Sequence, residues 1–195
     1  GQFSEIYEPR FINNIYFDSF NFKDYNDTIN GISNRKKIRL RWYGEFFGLI
    51  NSPVLEIKQK KWKVVRKIIH TFTPLEIKPS MNIKVTINNI SSGNGFHYIK
   101  NREPNIINRY KRKYFLSNNK KFRITIDTNQ RFTNPKNIQT PRKIYPVAPQ
   151  PTIIELKFDV QWEKEAMRIT NALPFRINKN SKYVNALKVL YPQLD

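Results

Sequence analysis

The residues from Arg35 to Trp42 carry the most concentrated chemistry in the chain. In an extended strand alternate side chains share a face, so Arg35, Lys37, Arg39 and Arg41 stand on one side and Lys36, Ile38, Leu40 and Trp42 on the other. Four cations on one pleated face call for an anion, and the planar, permanently charged fork of arginine suits phosphate. The alternation recurs. Glu56, Lys58 and Lys60 alternate with Leu55 and Ile57; Arg123, Thr125 and Asp127 alternate with Phe122, Ile124 and Ile126; Glu155, Lys157 and Asp159 alternate with Ile154, Leu156 and Phe158. Two arrangements account for it: a half-buried sheet whose charged face is solvated, or strands curled around a charged interior. Residues 35–67 hold 11 Lys and Arg against two acids. Like charges opposite one another on paired strands are destabilising unless something compensates them, which favours an interior that an anion fills.

The acids are few. Glu56 lies one pleat from Lys58 and Glu155 one pleat from Lys157. A carboxylate among cations is ordinarily an ion-pair partner, and that is the reading for Glu56. For Glu155 a second reading stands beside it, a ligand for Mg²⁺ or Mn²⁺, since such ions take one or two carboxylates together with phosphates and waters. Arg109 and Arg112 among Tyr110, Tyr114 and Phe115 fit either base stacking or strand packing, and packing is the simpler account. Other chemistries are excluded. The chain has no Cys, its two histidines, His70 and His97, are separated, and there is no GxxxxGK or GxGxxG loop or Ser/His/Asp arrangement. Side chains must therefore do any phosphate binding.

Period-2 patterning predicts strands at 11–17, 37–43, 54–60, 63–72, 110–116, 121–128 and 152–160. Residues 74–108 read as short helical pieces and loops, and the proline-rich stretch 135–151 as an extended connection. Trp162, Ala166, Ile169 and Leu173 form a helical stripe, and Asn180 or Ser181 caps a second helix with Tyr183, Ala186, Leu187 and Leu190 on one face. Strands followed by helices predict an antiparallel α+β domain spanning 1–195. With 195 residues, 39% of them hydrophobic, the chain can bury a core. It has no apolar run long enough to span a bilayer and no secretory pattern at its start, so a cytoplasmic location is expected. The net charge is +20, but Ile, Asn and Lys make up 70 of the 195 residues, a compositional bias that weakens the lysines as witnesses.

The segments FINNIYFDS at 11–19, RKKIRLRWYG at 35–44, LEIKQK at 55–60, RKYF at 112–115, FRITIDT at 122–128, IELKFD at 154–159 and NKNSKYVNAL at 178–187 together resemble the VTC domain. That is the polyphosphate polymerase domain of the vacuolar transporter chaperone family, within the wider CYTH or triphosphate tunnel metalloenzyme class. The resemblance implies an antiparallel β-barrel with C-terminal helices, whose basic tunnel binds triphosphate or polyphosphate with a divalent cation. Carried onto matching positions, it implies that Arg39, Arg41, Lys58, Arg112, Arg123 and Lys182 are phosphate-binding catalytic residues and Glu155 the metal carboxylate. Arg35, Lys37 and Lys157 join them as phosphate-binding residues from the face pattern. The family pattern begins with a strand bearing an ERKF-like motif and then a helix; residues 1–10 carry no such motif, so the chain is expected to lack both.

The implied activity is transfer of the γ-phosphate of ATP to a growing polyphosphate chain, with Mn²⁺ or Mg²⁺ as cofactor. Two alternatives remain. One is a triphosphatase of the same class, with water as nucleophile; the other is a non-catalytic module that binds polyphosphate or nucleotide. ATP and polyphosphate or another triphosphate are the expected partners, a membrane partner is compatible, and nucleic acid is disfavoured.

Overall fold

The computed structural model describes residues 2–89, 95–137, 145–146 and 151–194. Ten strands run in chain order: β1 Phe3–Asp18, β2 Arg35–Tyr43, β3 Gly48–Ile50, β4 Val54–Lys61, β5 Val64–Thr71, β6 Leu75–Ile77, β7 Glu103–Ser117, β8 Arg123–Thr133, β9 Tyr145–Pro146 and β10 Ile153–Lys157. The helices are α1 Lys23–Ile29, α2 Ile83–Asn89, α3 Glu163–Asn171 and α4 Lys182–Leu190. The main sheet is antiparallel in the order β10-β8-β7-β1-β2-β4-β5, with β9 also on β8, while β3 and β6 form a separate pair. It curls into a half-barrel with helices from the C-terminal part, an α+β fold. The barrel that the resemblance implies is not closed here: β5 and β10 are the outer strands and do not pair with each other.

Burial explains the layers. From Ile12 to Asp18 every residue of β1 is buried, because the strand is central and covered on both faces. One face joins Ile15, Ile38, Leu40, Trp42 and Leu55 to Ile83 and Ile87 of α2 in the larger apolar core. On the other face Tyr16, Tyr25, Ile106 and Phe132 meet Tyr183, Ala186 and Leu187 of α4 in a smaller one. Ser181 caps α4 through its hydroxyl, which accepts from the Val184 N–H, as the sequence predicts. The carboxylate of Asp18 fixes the geometry at this end. It accepts the backbone N–H groups of Asp24 and Tyr25 at the start of α1 and the hydroxyl of Tyr183, the last at 2.5 Å.

Several boundaries differ from the sequence reading. β1 starts at Phe3 rather than 11, because residues 3–10 pair with β7 through two register shifts that absorb Pro9. β7 begins at Glu103, within the stretch read as helices and loops, and β6 also lies there. β8 runs from 123 to 133, and β10 ends at Lys157 with a 3₁₀ turn following. The proline-rich connection falls largely outside the described residues. The predicted C-terminal helices are both present, α3 with Ala166 buried and α4 with Tyr183, Ala186 and Leu187 buried.

Candidate phosphate-binding face

Antiparallel register puts directly paired residues on the same face, so the polar positions of neighbouring strands line up in rows. Lys37 pairs with Lys58, and Lys58 with Lys67. The next row is Tyr16, Arg39 and Glu56; after it come Asn108, Asn14 and Arg41. Farther along lie Arg10, Arg112 and Asp127, then Tyr114, Thr125 and Glu155, and finally Arg123 and Lys157. On β2 the cations from Lys37 to Arg41 cover roughly 13 Å at strand rise.

Two buried acids organise these cations. Glu56 accepts from Arg39 at 2.7 Å and from Lys67 at 2.8 Å, with Arg41 at 3.6 Å. Burial alone would raise its carboxyl, but Arg39 and Arg41 outweigh burial and lower it to about 2. Asp127, 1% exposed, receives both arms of the Arg112 fork at 2.5 and 2.7 Å and the Lys182 ammonium at 2.6 Å. Burial works to raise this carboxyl too, and the Arg112 and Lys182 contacts hold it below the ordinary carboxylate range. Neutral groups complete the network. Arg41 donates to Asn14 Oδ1 at 2.9 Å and to the Tyr110 hydroxyl at 3.3 Å, and Asn14 donates to Asn108 Oδ1 at 3.2 Å.

The first residues of α4 tie the face together. Lys37 donates to the Ser181 hydroxyl at 2.9 Å, and the next residue, Lys182, reaches Asp127. β2 and β8, separated in the sheet by β1 and β7, therefore meet one turn of helix. Lys37 has no carboxylate of its own here among the described residues. Burial lowers its pKa to about 8, aided by repulsion from Lys58, Arg35 and Arg39. A phosphate held by Lys37 needs the ammonium form, so tripolyphosphate binding should weaken as pH rises through 8, and K37R should lack this loss. Calorimetry across that range checks it. For folding the sign is opposite. Between pH 8 and 10.5 the unfolded lysine still holds its proton while the folded one has lost it, so Lys37 makes the fold more stable as pH rises through that window.

Of the residues singled out in the sequence, the structure gathers Arg39, Arg41, Arg112 and Lys182 around Glu56 and Asp127, with Lys37 on the same face bonded to Ser181. Lys58 is exposed in the row beside Lys37. Arg35 turns back to donate to the Ile32 carbonyl at 2.8 Å. Arg123, Glu155 and Lys157 lie at the far end on β8 and β10, exposed, with Glu155 3.5 Å from Lys157. Glu56 is the ion-pair partner expected of it. Tyr110 lies beneath Lys182 and Arg112, with cation-to-ring distances of 4.9 and 5.2 Å, which is the packing role.

Sequence reading missed Asp127 as the partner of Arg112 and Lys182, and it missed Arg10. Arg10 lies opposite Arg112 on β1, exposed, with its guanidinium 4.5 Å from the Tyr43 ring centroid, 5.0 Å from that of Tyr114 and 5.4 Å from that of Tyr7. Its signal was weak because Pro9 interrupts the alternation leading to it.

The donor set for a divalent ion is small. Among the described residues no group of three or more His, Cys, Asp or Glu side chains could hold a metal. Glu56 and Asp127 are buried and closely paired with cations, whereas Glu155 is exposed and has Lys157 at the longer distance of 3.5 Å. Thr125, directly across from Glu155, has a buried hydroxyl with no hydrogen-bond partner. One carboxylate suits an ion that brings phosphate and water as its other ligands. Among the described residues no helix is long and apolar enough to cross a membrane.

No curated protein matches the chain. A family model, that of the VTC domain, matches residues 4–191. The match takes in the whole run of strands that carries the cationic rows and ends beyond the helix that brings Lys182 to Asp127, so the chain belongs to the VTC domain family and is a polyphosphate polymerase-related domain.

Proposed function

We propose that the inner face binds a linear phosphate chain and that the domain transfers the γ-phosphate of ATP to it. The observation that carries this reading is the gathering of Lys37, Arg39, Arg41, Arg112 and Lys182 on one face, where among the described residues Glu56 and Asp127 are the carboxylates that pair with the last four. A bound phosphate chain takes over the role of those two carboxylates.

Transfer needs an oxygen of the terminal phosphate to approach the γ-phosphorus of ATP although both groups are anionic. Arg39, Arg41, Arg112 and Lys182 offset that repulsion and hold the two groups in line. The new P–O bond forms as the bond from the γ-phosphorus to the β–γ bridging oxygen breaks, and ADP leaves with that electron pair. Catalysis is positioning plus electrostatics, with no covalent protein intermediate. The buried hydrogen bonds that Arg41 donates to Asn14 and Tyr110 fix its guanidinium, so little reorganisation is required of it. Glu155, with Thr125 beside it, would hold Mg²⁺ or Mn²⁺; the ion would supply positive charge at phosphate oxygens.

A second reading, hydrolysis of triphosphate by water, is compatible with a barrel in which, among the described residues, β5 and β10 do not pair with each other. Product analysis separates the readings. Incubation with ATP and Mn²⁺ is expected to give a ladder of polyphosphate lengths on a gel. Free phosphate without a ladder would assign a triphosphatase, and calorimetric binding without turnover would assign a binding module.

A further inference from the structure

The turn between β4 and β5 carries a surface that the phosphate face does not use. The last β4 residue paired with β2 is Lys60, opposite Arg35, so the end of the β4–β5 hairpin from Lys61 to Val64 projects beyond β2. Trp62 is 73% exposed, Val64 69% and Val65 52%. The sequence has no acid between Glu56 and Glu76, while Lys60, Lys61, Lys63 and Arg66 surround the apolar tip. None of these four makes an ion pair among the described residues. Trp62 adopts φ 55°, a left-handed conformation that favours glycine, and its N–H is held by the Ser33 carbonyl at 3.1 Å. The turn therefore presents a large apolar ring outward at a position whose backbone disfavours it. The other tryptophans differ: Trp42 is in the core, and the Trp162 ring is covered by Lys121 at 3.2 Å.

We propose that this hairpin tip docks on the surface of an anionic phospholipid bilayer, with Trp62 and Val64 entering the interface and the surrounding cations contacting the headgroups. An indole flanked by ammonium groups matches the chemistry of a membrane interface, where the ring lies at headgroup depth and each nearby cation adds attraction to anionic lipid. A single-stranded nucleic acid would use the ring and the cations but not the two valines.

Sedimentation of the full chain with vesicles of phosphatidylcholine and phosphatidylserine tests this, with saturating tripolyphosphate present to occupy the inner face. The protein is expected to sediment with these vesicles but not with phosphatidylcholine alone, and its tryptophan emission to shift to shorter wavelength. W62G is expected to lower partitioning about tenfold or more. Because glycine relieves the left-handed backbone, its melting temperature should not fall. Lys61→Gln with Lys63→Gln is expected to lower partitioning by a similar factor. The proposal is overturned if tripolyphosphate abolishes vesicle binding, if W62G partitions like the wild type, or if W62G melts several degrees lower. Trp62-dependent binding to polyuridylate without binding to vesicles overturns it as well.

Discussion

Replacing Arg39 and Arg41 together by alanine is expected to weaken tripolyphosphate binding by at least about a hundredfold and to abolish polymer formation. A hydrogen bond from a charged donor contributes about 1.5–3 kcal/mol, so losing two of them reaches that range even if neighbouring cations shift to help. The two arginines occupy the centre of the face, paired to Glu56 and Asn14. Arg39→Lys with Arg41→Lys keeps the charge and removes the fork, so it should recover only part of the affinity. Calorimetry with tripolyphosphate and with RNA decides the matter. A double alanine variant that binds tripolyphosphate normally and loses RNA would sink the phosphate reading. The variant also leaves Glu56 with Lys67 alone as its ion-pair partner, so the low carboxyl pKa near 2 should rise. Glu56 stabilises the fold above its ordinary pKa and loses that contribution as pH falls toward 2, so the variant should lose less stability on acidification than the wild type.

Asp127→Asn is expected to destabilise the domain by about 3–5 kcal/mol, because it leaves the buried Arg112 and Lys182 charges facing one another without a carboxylate. For a chain of this length that is a fall in melting temperature of roughly 6–20 °C. The deficit should shrink when tripolyphosphate is added, since the bound anion replaces the lost charge. The ligand-induced rise in melting temperature should then be larger for the variant than for the wild type. An unchanged deficit at saturating tripolyphosphate would mean that Arg112 and Lys182 do not meet the ligand. An undiminished melting temperature without ligand would mean that the Asp127 contacts do not hold α4 on the sheet.

These two expectations differ in how far the sequence supports them. Arg39 and Arg41 are legible because period-2 alternation sorts side chains by face whatever the fold, and Ile38, Leu40 and Trp42 on the opposite face lie in the apolar core. The role of Asp127 is not legible. Its partners lie 15 and 55 positions away in sequence, and the contact with Lys182 exists only because α4 folds back over the curled sheet. The beginning of β7 was hidden for a related reason. Its Asn105 and Asn108 resemble loop residues, yet both are buried strand positions. Residues 3–10 of β1 were hidden because they run along the open rim, mostly exposed, where register shifts replace strict alternation.

By itself the sequence determined the α+β class, the cationic strand faces, the start of α4 at Asn180 or Ser181 and the family pattern, all of which rest on local periodicity or on contiguous motifs. Tertiary structure alone decided which acids neutralise which cations, that Lys37 meets Ser181, that Arg10 joins the row of Arg112, and that β5 and β10 do not pair with each other. Those outcomes depend on strand register and sheet curvature, which bring together residues far apart in the chain.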